Sequence, residues 1–194
     1  MTHKLEFDAI DHTYHLDGSP VPSVTQVLGD IIPGWHAEEW YLQRGTAVHA
    51  CAALVAQGQP FLHDPQIDGQ VAAVRRFFRE VQPEVIACEE RVYSARHRYA
   101  GTLDLIAKIA GTLTLIDWKA SISKSVPYQL AAYALAYSEP VKQGRIRRGV
   151  AVQLKADGTY RMSETYDLRR YEAGFLAMLG AHNIRRECGI IEEN

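Results

Sequence analysis

Two carboxylates and a lysine sit in a stretch whose other residues are those of apolar strands. Leu103, Leu105, Ile106 and Ile109 mark one such strand. Leu113, Leu115 and Ile116 mark the next, and Ala110-Gly111-Thr112 supplies a turn between them. Asp104 lies in the first strand, Asp117 in the second, and Lys119 two residues further on. Strand side chains alternate, so Asp117 and Lys119 share a face, and Asp104 can meet them from the neighbouring strand. A carboxylate among apolar neighbours is costly unless it is paired or binds a metal. Two chemistries satisfy that demand. One is a buried Asp–Lys salt bridge. The other is a hydrolytic site in which the acids hold a hard cation and the lysine orients water or stabilises developing charge.

The rest of the chain must position this hairpin. Its 194 residues suffice for one domain with a sizeable core. Hydrophobic residues make up 47% and charged residues 23%, the balance of a soluble globular protein. A net charge of −2 excludes a global basic field, so any nucleic-acid contact must come from local clusters. Cys51, Cys88 and Cys188 lie far apart, without zinc or iron–sulfur spacing. Their odd number, with no signal peptide, favours a reducing cytosol. The apolar runs are too short and interrupted to span a bilayer.

Leu5 to Asp17 alternates and ends in Asp17-Gly18, which predicts a small hairpin before Pro20. Ser23 has the character of an N-cap for a short helix through Val24, Val27 and Leu28. Longer helices are expected over 38–57 and 66–81, then a strand over 85–93 leading into the hairpin. Pro127 opens a helix in which Gln129 and Tyr133, four apart, share a face. A second hairpin is expected around Asp157-Gly158, and a last helix from about Asp167. This order predicts an α/β or α+β domain with a central mixed sheet.

Several further residues could join the hairpin. His49 follows small residues on the second helix, where a structural histidine is the ordinary alternative. Of Glu89 and Glu90, alternation lets only one face the site. Arg75, Arg76 and Arg79 form either a solvated helix face or a phosphate-tracking surface.

Taken together, Gly-x-x-x-His at 45–49, Gly-x-x-Asp at 101–104, Asp-x-Lys at 117–119 and Gln-x-x-x-Tyr at 129–133 occur in one order. The chain thereby resembles the RecB-like nucleases of the PD-(D/E)XK superfamily. Pro22-Ser23-Val24-Thr25, Arg44-Gly45 and Ile116-Asp117-Trp118-Lys119 extend the similarity. In these segments it resembles the branch holding the mitochondrial genome maintenance exonuclease and short phage and prophage relatives. The resemblance covers about residues 20 to 140. It implies a restriction-endonuclease-like core in a single domain, with the N-terminal hairpin and helices, about residues 1 to 60, covering the site. It further implies that His49, Asp104 and Asp117 bind Mg²⁺ or Mn²⁺ with the backbone carbonyl of Trp118. Lys119 would position water or stabilise the transition state, and Gln129 and Tyr133 would hold the lysine or touch the DNA backbone. Glu89 fits the upstream glutamate of the family better than Glu90. Ala120 departs from the threonine frequent after the lysine, and no iron–sulfur cluster is expected. The implied activity is a metal-dependent DNA exonuclease acting on free or single-stranded ends in phage-type DNA processing or recombination. Arg44, Trp40 and the Arg75-Arg76-Arg79 face are candidate DNA contacts, with Tyr133 beside them. A structure- or sequence-specific endonuclease on the same fold and a non-catalytic DNA-binding module are the alternatives.

Overall fold

A computed structural model describes residues 3–32, 39–139 and 145–191, with the side chains of 39–43 outside the description. Three short strands come first: β1 (Leu5–Asp8), β2 (Thr13–Leu16) and β3 (Ser19–Val21), in an antiparallel meander. The expected hairpin is therefore a three-stranded unit. Asp17 and Gly18, both at positive φ, form a two-residue turn from β2 into β3 rather than the end of the structure. The third strand escapes pattern reading because it is three residues long and contains Pro20, which an edge strand tolerates.

Helix α1 (Val24–Ile31) starts at Ser23, whose Oγ accepts the Gln26 N–H at 3.0 Å while Gln26 Oε1 accepts the Ser23 N–H at 2.7 Å. This reciprocal cap satisfies two donors that a helix start leaves open. Helix α2 (Glu39–Ala56) follows, then a 3-10 turn at Pro65–Ile67 and α3 (Asp68–Val81). The main sheet begins with β4 (Glu84–Ser94), β5 (Tyr99–Ile109) and β6 (Thr112–Lys119). Helix α4 (Val126–Ser138) crosses over to β7 (Arg148–Leu154), which runs parallel to β6. A parallel pair requires such a crossover. Strands β8 (Tyr160–Met162) and β9 (Tyr166–Asp167) both pair antiparallel with β7, and α5 (Arg169–Glu187) ends the fold. Asp167 thus closes a strand, and no side chain caps α5.

The result is a central mixed sheet of six strands in the order β4-β5-β6-β7-β8, with β9 also on β7, flanked by helices on both faces. One face packs Leu103, Ile106, Leu115 and Ala151 under α1, α4 and α5. The other packs Leu105, Ile116, Trp118 and Val152 under α2 and α3. Covering both faces explains why β5 and β6 read as nearly continuous apolar runs. Among the described residues no helix is long and apolar enough to cross a membrane, and the three cysteines are unpaired.

Candidate active site

Asp104 stands where strand alternation fails. Leu103 belongs to the core beneath α4, yet Leu105, two residues on, belongs to the core beneath α2 and α3. Regular pairing of β5 with β6 runs from the Ile109–Thr112 turn only as far as Leu105 opposite Ile116. Beyond that point the Asp104 side chain replaces the ladder, its Oδ2 accepting the Trp118 N–H at 2.7 Å. Its other oxygen, Oδ1, accepts a hydrogen bond from His49 Nδ1 of α2 at 3.0 Å. A strand of the sheet and a helix above it are thus tied to one carboxylate.

Glu89 completes this group from β4. One donor atom each of His49, Glu89 and Asp104 lies within 4.8 Å of the other two. Glu89 takes a positive φ of 48° in mid-strand and lies across from Asp104, between the paired positions Cys88–Leu105 and Glu90–Leu103. A left-handed glutamate in a strand is an uncommon backbone state. Glu90 does not line the cavity that Glu89 lines, and its charge acts instead on Tyr137 of α4.

Asp117 stands beside the three-residue group rather than in it. Its Oδ2 lies 2.7 Å from Lys119 Nζ, an ion pair between two largely buried side chains. From α4, Gln129 Nε2 donates to the Tyr133 hydroxyl at 3.2 Å, both side chains being buried. Gln129 Oε1 is buried and has no hydrogen-bond donor among the described residues. Gly101 makes room for this helix, since a Cβ there would lie 2.6 Å from Tyr133 Cε1. His49, Glu89, Asp104, Asp117, Lys119, Gln129 and Tyr133 all line one cavity of about 660 Å³. A second cavity of about 340 Å³ adjoins it and shares Gly45, His49 and Lys119.

The electrostatics follow from crowding acids under helices. Burial raises the Asp117 carboxyl, the Asp104 charge adds to the rise against the pull of Lys119, and the group reaches about 6. Burial also raises Glu89, again with Asp104, to about 7. For Asp104 burial acts upward, but His49, Lys119 and the Trp118 N–H outweigh it and hold the group below its usual value. For His49 burial disfavours the cation, but Asp104 prevails and lifts the imidazole to about 9.

Two carboxylates and an imidazole within 4.8 Å, with no thiolate among them, fit a hard divalent cation bound through oxygen and nitrogen at about 2.0–2.6 Å. The cluster is a candidate site for a divalent metal.

The candidate DNA contacts are placed unevenly. Arg44 lines the smaller cavity, where its Nη2 donates to the Gln66 carbonyl at 3.0 Å. Arg75, Arg76 and Arg79 line neither cavity; Arg75 lies over Phe61 and Arg76 pairs with Glu80 at 2.7 Å. The Trp40 side chain lies outside the described residues. The N-terminal meander supplies residues that the sequence reading passed over. Phe7, His12 and Tyr14 line the larger cavity, as do Arg91 and Thr102. Arg91 had a legible signal, because it stands two residues after Glu89 on one strand.

No family model matches the sequence, and no curated protein matches it. Among solved structures, the chain is similar to LHK-Exo in complex with dAMP. That match has 14% identity and a TM-score of 0.42, and covers 89% of this chain and 95% of that one. It is also similar to the alkaline exonuclease LHK-Exo from Laribacter hongkongensis. Here the identity is 12% and the TM-score 0.42, over 88% of this chain and 94% of that one.

Proposed function

We propose that the chain is a metal-dependent deoxyribonuclease, an exonuclease acting on single-stranded DNA ends. The observation that carries this reading is the convergence of His49, Glu89 and Asp104 within 4.8 Å beside the Asp117–Lys119 pair in one cavity. A structural salt bridge accounts for Asp117 and Lys119, but it gives no reason for a histidine and two further acids to meet there.

In this reading His49, Asp104 and Asp117 would hold Mg²⁺ or Mn²⁺ with the Trp118 carbonyl, and Glu89 would assist from across the cavity. The ion, when bound, neutralises charge on the scissile phosphate and lowers the pKa of water. Lys119, its side chain only 19% exposed and beside Asp117, is placed to orient the attacking water and stabilise the charge that builds on phosphorus-bound oxygens. Glu89 lines the same cavity, where its carboxylate is placed to accept a proton from water. Gln129 presents a buried acceptor, Oε1, suited to a lysine ammonium, and Tyr133 fixes that amide through its hydroxyl. Residues from the N-terminal meander, α1 and α2 line the cavity, so this part of the chain covers the site. A place in phage-type DNA processing rests on the sequence resemblance alone.

The test is digestion of linear DNA with Mg²⁺ or Mn²⁺, with excess EDTA, and by Lys119→Ala. EDTA should abolish cleavage. Lys119→Ala should lower the rate on the order of 100-fold or more, with thermal stability and DNA affinity nearly intact. Full activity in EDTA sinks the metal reading. A Lys119→Ala protein that cuts at the normal rate restores the salt-bridge reading.

A further inference from the structure

Arg91 sits two residues beyond Glu89 on β4, and both line the larger cavity. Two residues of strand advance about 7 Å, on the scale of one nucleotide step of an extended single strand. The Arg91 guanidinium lies over the Phe7 ring, its carbon 4.9 Å from the ring centre. Phe7 in turn packs on Tyr14 at 4.7 Å between centroids. The Tyr14 hydroxyl is 2.8 Å from Thr102 Oγ1, and Thr102 is the residue paired with Arg91 across β4 and β5. The arginine therefore lies against a ring that packs on a tyrosine hydrogen-bonded to the neighbouring strand.

Among the described residues no carboxylate lies within 4.0 Å of the Arg91 guanidinium. It is exposed and has no acid partner among the described residues, whereas Asp104 and Asp117 in the same cavity are paired with His49 and Lys119. A planar guanidinium braced by an aromatic face is preorganised for bidentate binding of an oxyanion.

We propose that Arg91, braced by Phe7, binds the phosphate next to the scissile one on a single DNA strand. This rests on the nuclease reading, which places the scissile phosphate at the site of His49, Asp104 and Asp117, with Glu89 beside it. Arg91 then fixes the register of the strand. The meander carrying Phe7 acts through Arg91 as a positioning element rather than only a cover.

The test is binding of a labelled ten-residue oligothymidine, followed by fluorescence anisotropy in EDTA so that no cleavage intervenes. Arg91→Gln should weaken binding about tenfold and reduce the slope of log affinity against log salt by about 0.7, the loss of one single-strand phosphate contact. Arg91→Lys and Phe7→Leu should fall between wild type and Arg91→Gln. Thermal melts should show all three variants folded, since Arg91 is exposed and Phe7→Leu keeps an apolar side chain at a half-buried position. Neutral methylphosphonate linkages are then placed one at a time along the strand. One position should cost the wild type about tenfold and cost Arg91→Gln nothing further. An unchanged salt slope in Arg91→Gln, or equal methylphosphonate costs at every position in both proteins, overturns the assignment. Cleavage of the unmodified strand by wild type with Mg²⁺ is read separately. Its absence removes the nuclease reading, whereas the anisotropy cycle alone decides the phosphate contact.

Discussion

At the scale of single residues, the site is a problem in sharing protons among crowded acids. Asp104 is fixed by two donors, His49 and the Trp118 N–H, so it keeps its charge, while Asp117 and Glu89 are pushed up by burial and by that charge. Glu89, not Glu90, lines the cavity. Glu89→Gln is therefore expected to lower turnover markedly and Glu90→Gln to change it little; the reverse order in a steady-state assay would assign the role to Glu90. The same shifts set the pH response of the metal-free protein. Glu89 moves from 4.5 to about 7 and Asp117 from 3.8 to about 6 on folding, so the folded chain retains protons that the unfolded chain releases. Their stabilising contribution is present in acid and is lost as pH rises through 6 to 7. His49 moves from 6.5 to about 9, and its contribution is likewise lost as pH rises through 9. Asp104, shifted down, works in the opposite sense only below 3.8. Thermal melts in EDTA should thus show Tm falling from pH 5.5 to 8.5, with Glu89→Gln flattening the lower part of the fall. Added Mg²⁺ competes with these protons and should raise Tm more at pH 8.5 than at pH 6. A metal effect that is largest in acid would contradict the ligand set.

At the scale of elements, β5 does two jobs with one irregularity. The break in alternation at Asp104 ends the ladder with β6 and frees the carboxylate to take the Trp118 N–H in its place. Three residues earlier, Gly101 leaves the space that the Tyr133 ring of α4 fills. The glycine of the Gly-x-x-Asp motif is thus a packing requirement of the crossover helix. Gly101→Ala forces a Cβ to 2.6 Å from a buried ring atom, and the ring, held through Gln129, cannot rotate away freely. A destabilisation of about 1–3 kcal/mol is expected, measured by urea unfolding, together with a drop in turnover because Gln129 shifts with Tyr133. An alanine variant with unchanged stability would mean that α4 moves at little cost.

At the scale of the molecule, the cavity is lined by residues of the sheet together with residues of the N-terminal meander, α1 and α2. With a net charge of −2 the surface has little global attraction for a long duplex, so binding depends on groups inside the cavity. On the proposed reading these N-terminal elements cover the site, and a strand that enters beneath them needs a free end. Linear single strands should shorten progressively while circular single strands and circular duplexes persist, and activity should fall only moderately with salt because few counterions are released. A time course on the four substrates, linear and circular in both strand states, decides this. Rapid cutting of circular single strands would favour the endonuclease alternative and leave the metal site in place.

The sequence by itself determined the strands that carry Asp104, Asp117 and Lys119, because a charged residue in an apolar strand is conspicuous and period-two spacing is local. It also determined the Ser23 cap, the Ala110-Gly111 turn and the helical pairing of Gln129 with Tyr133, all of which depend on neighbours within four residues. Periodicity could not show that β5 changes face at Asp104, since the change is made by a hydrogen bond to Trp118 fourteen residues away. Nor could it place His49, 55 residues from Asp104, over the sheet. The third strand of the meander and the Phe7–Arg91 contact also emerged only in three dimensions. These features are contacts between elements distant in the chain, and packing of the helices and the meander against the sheet decides them.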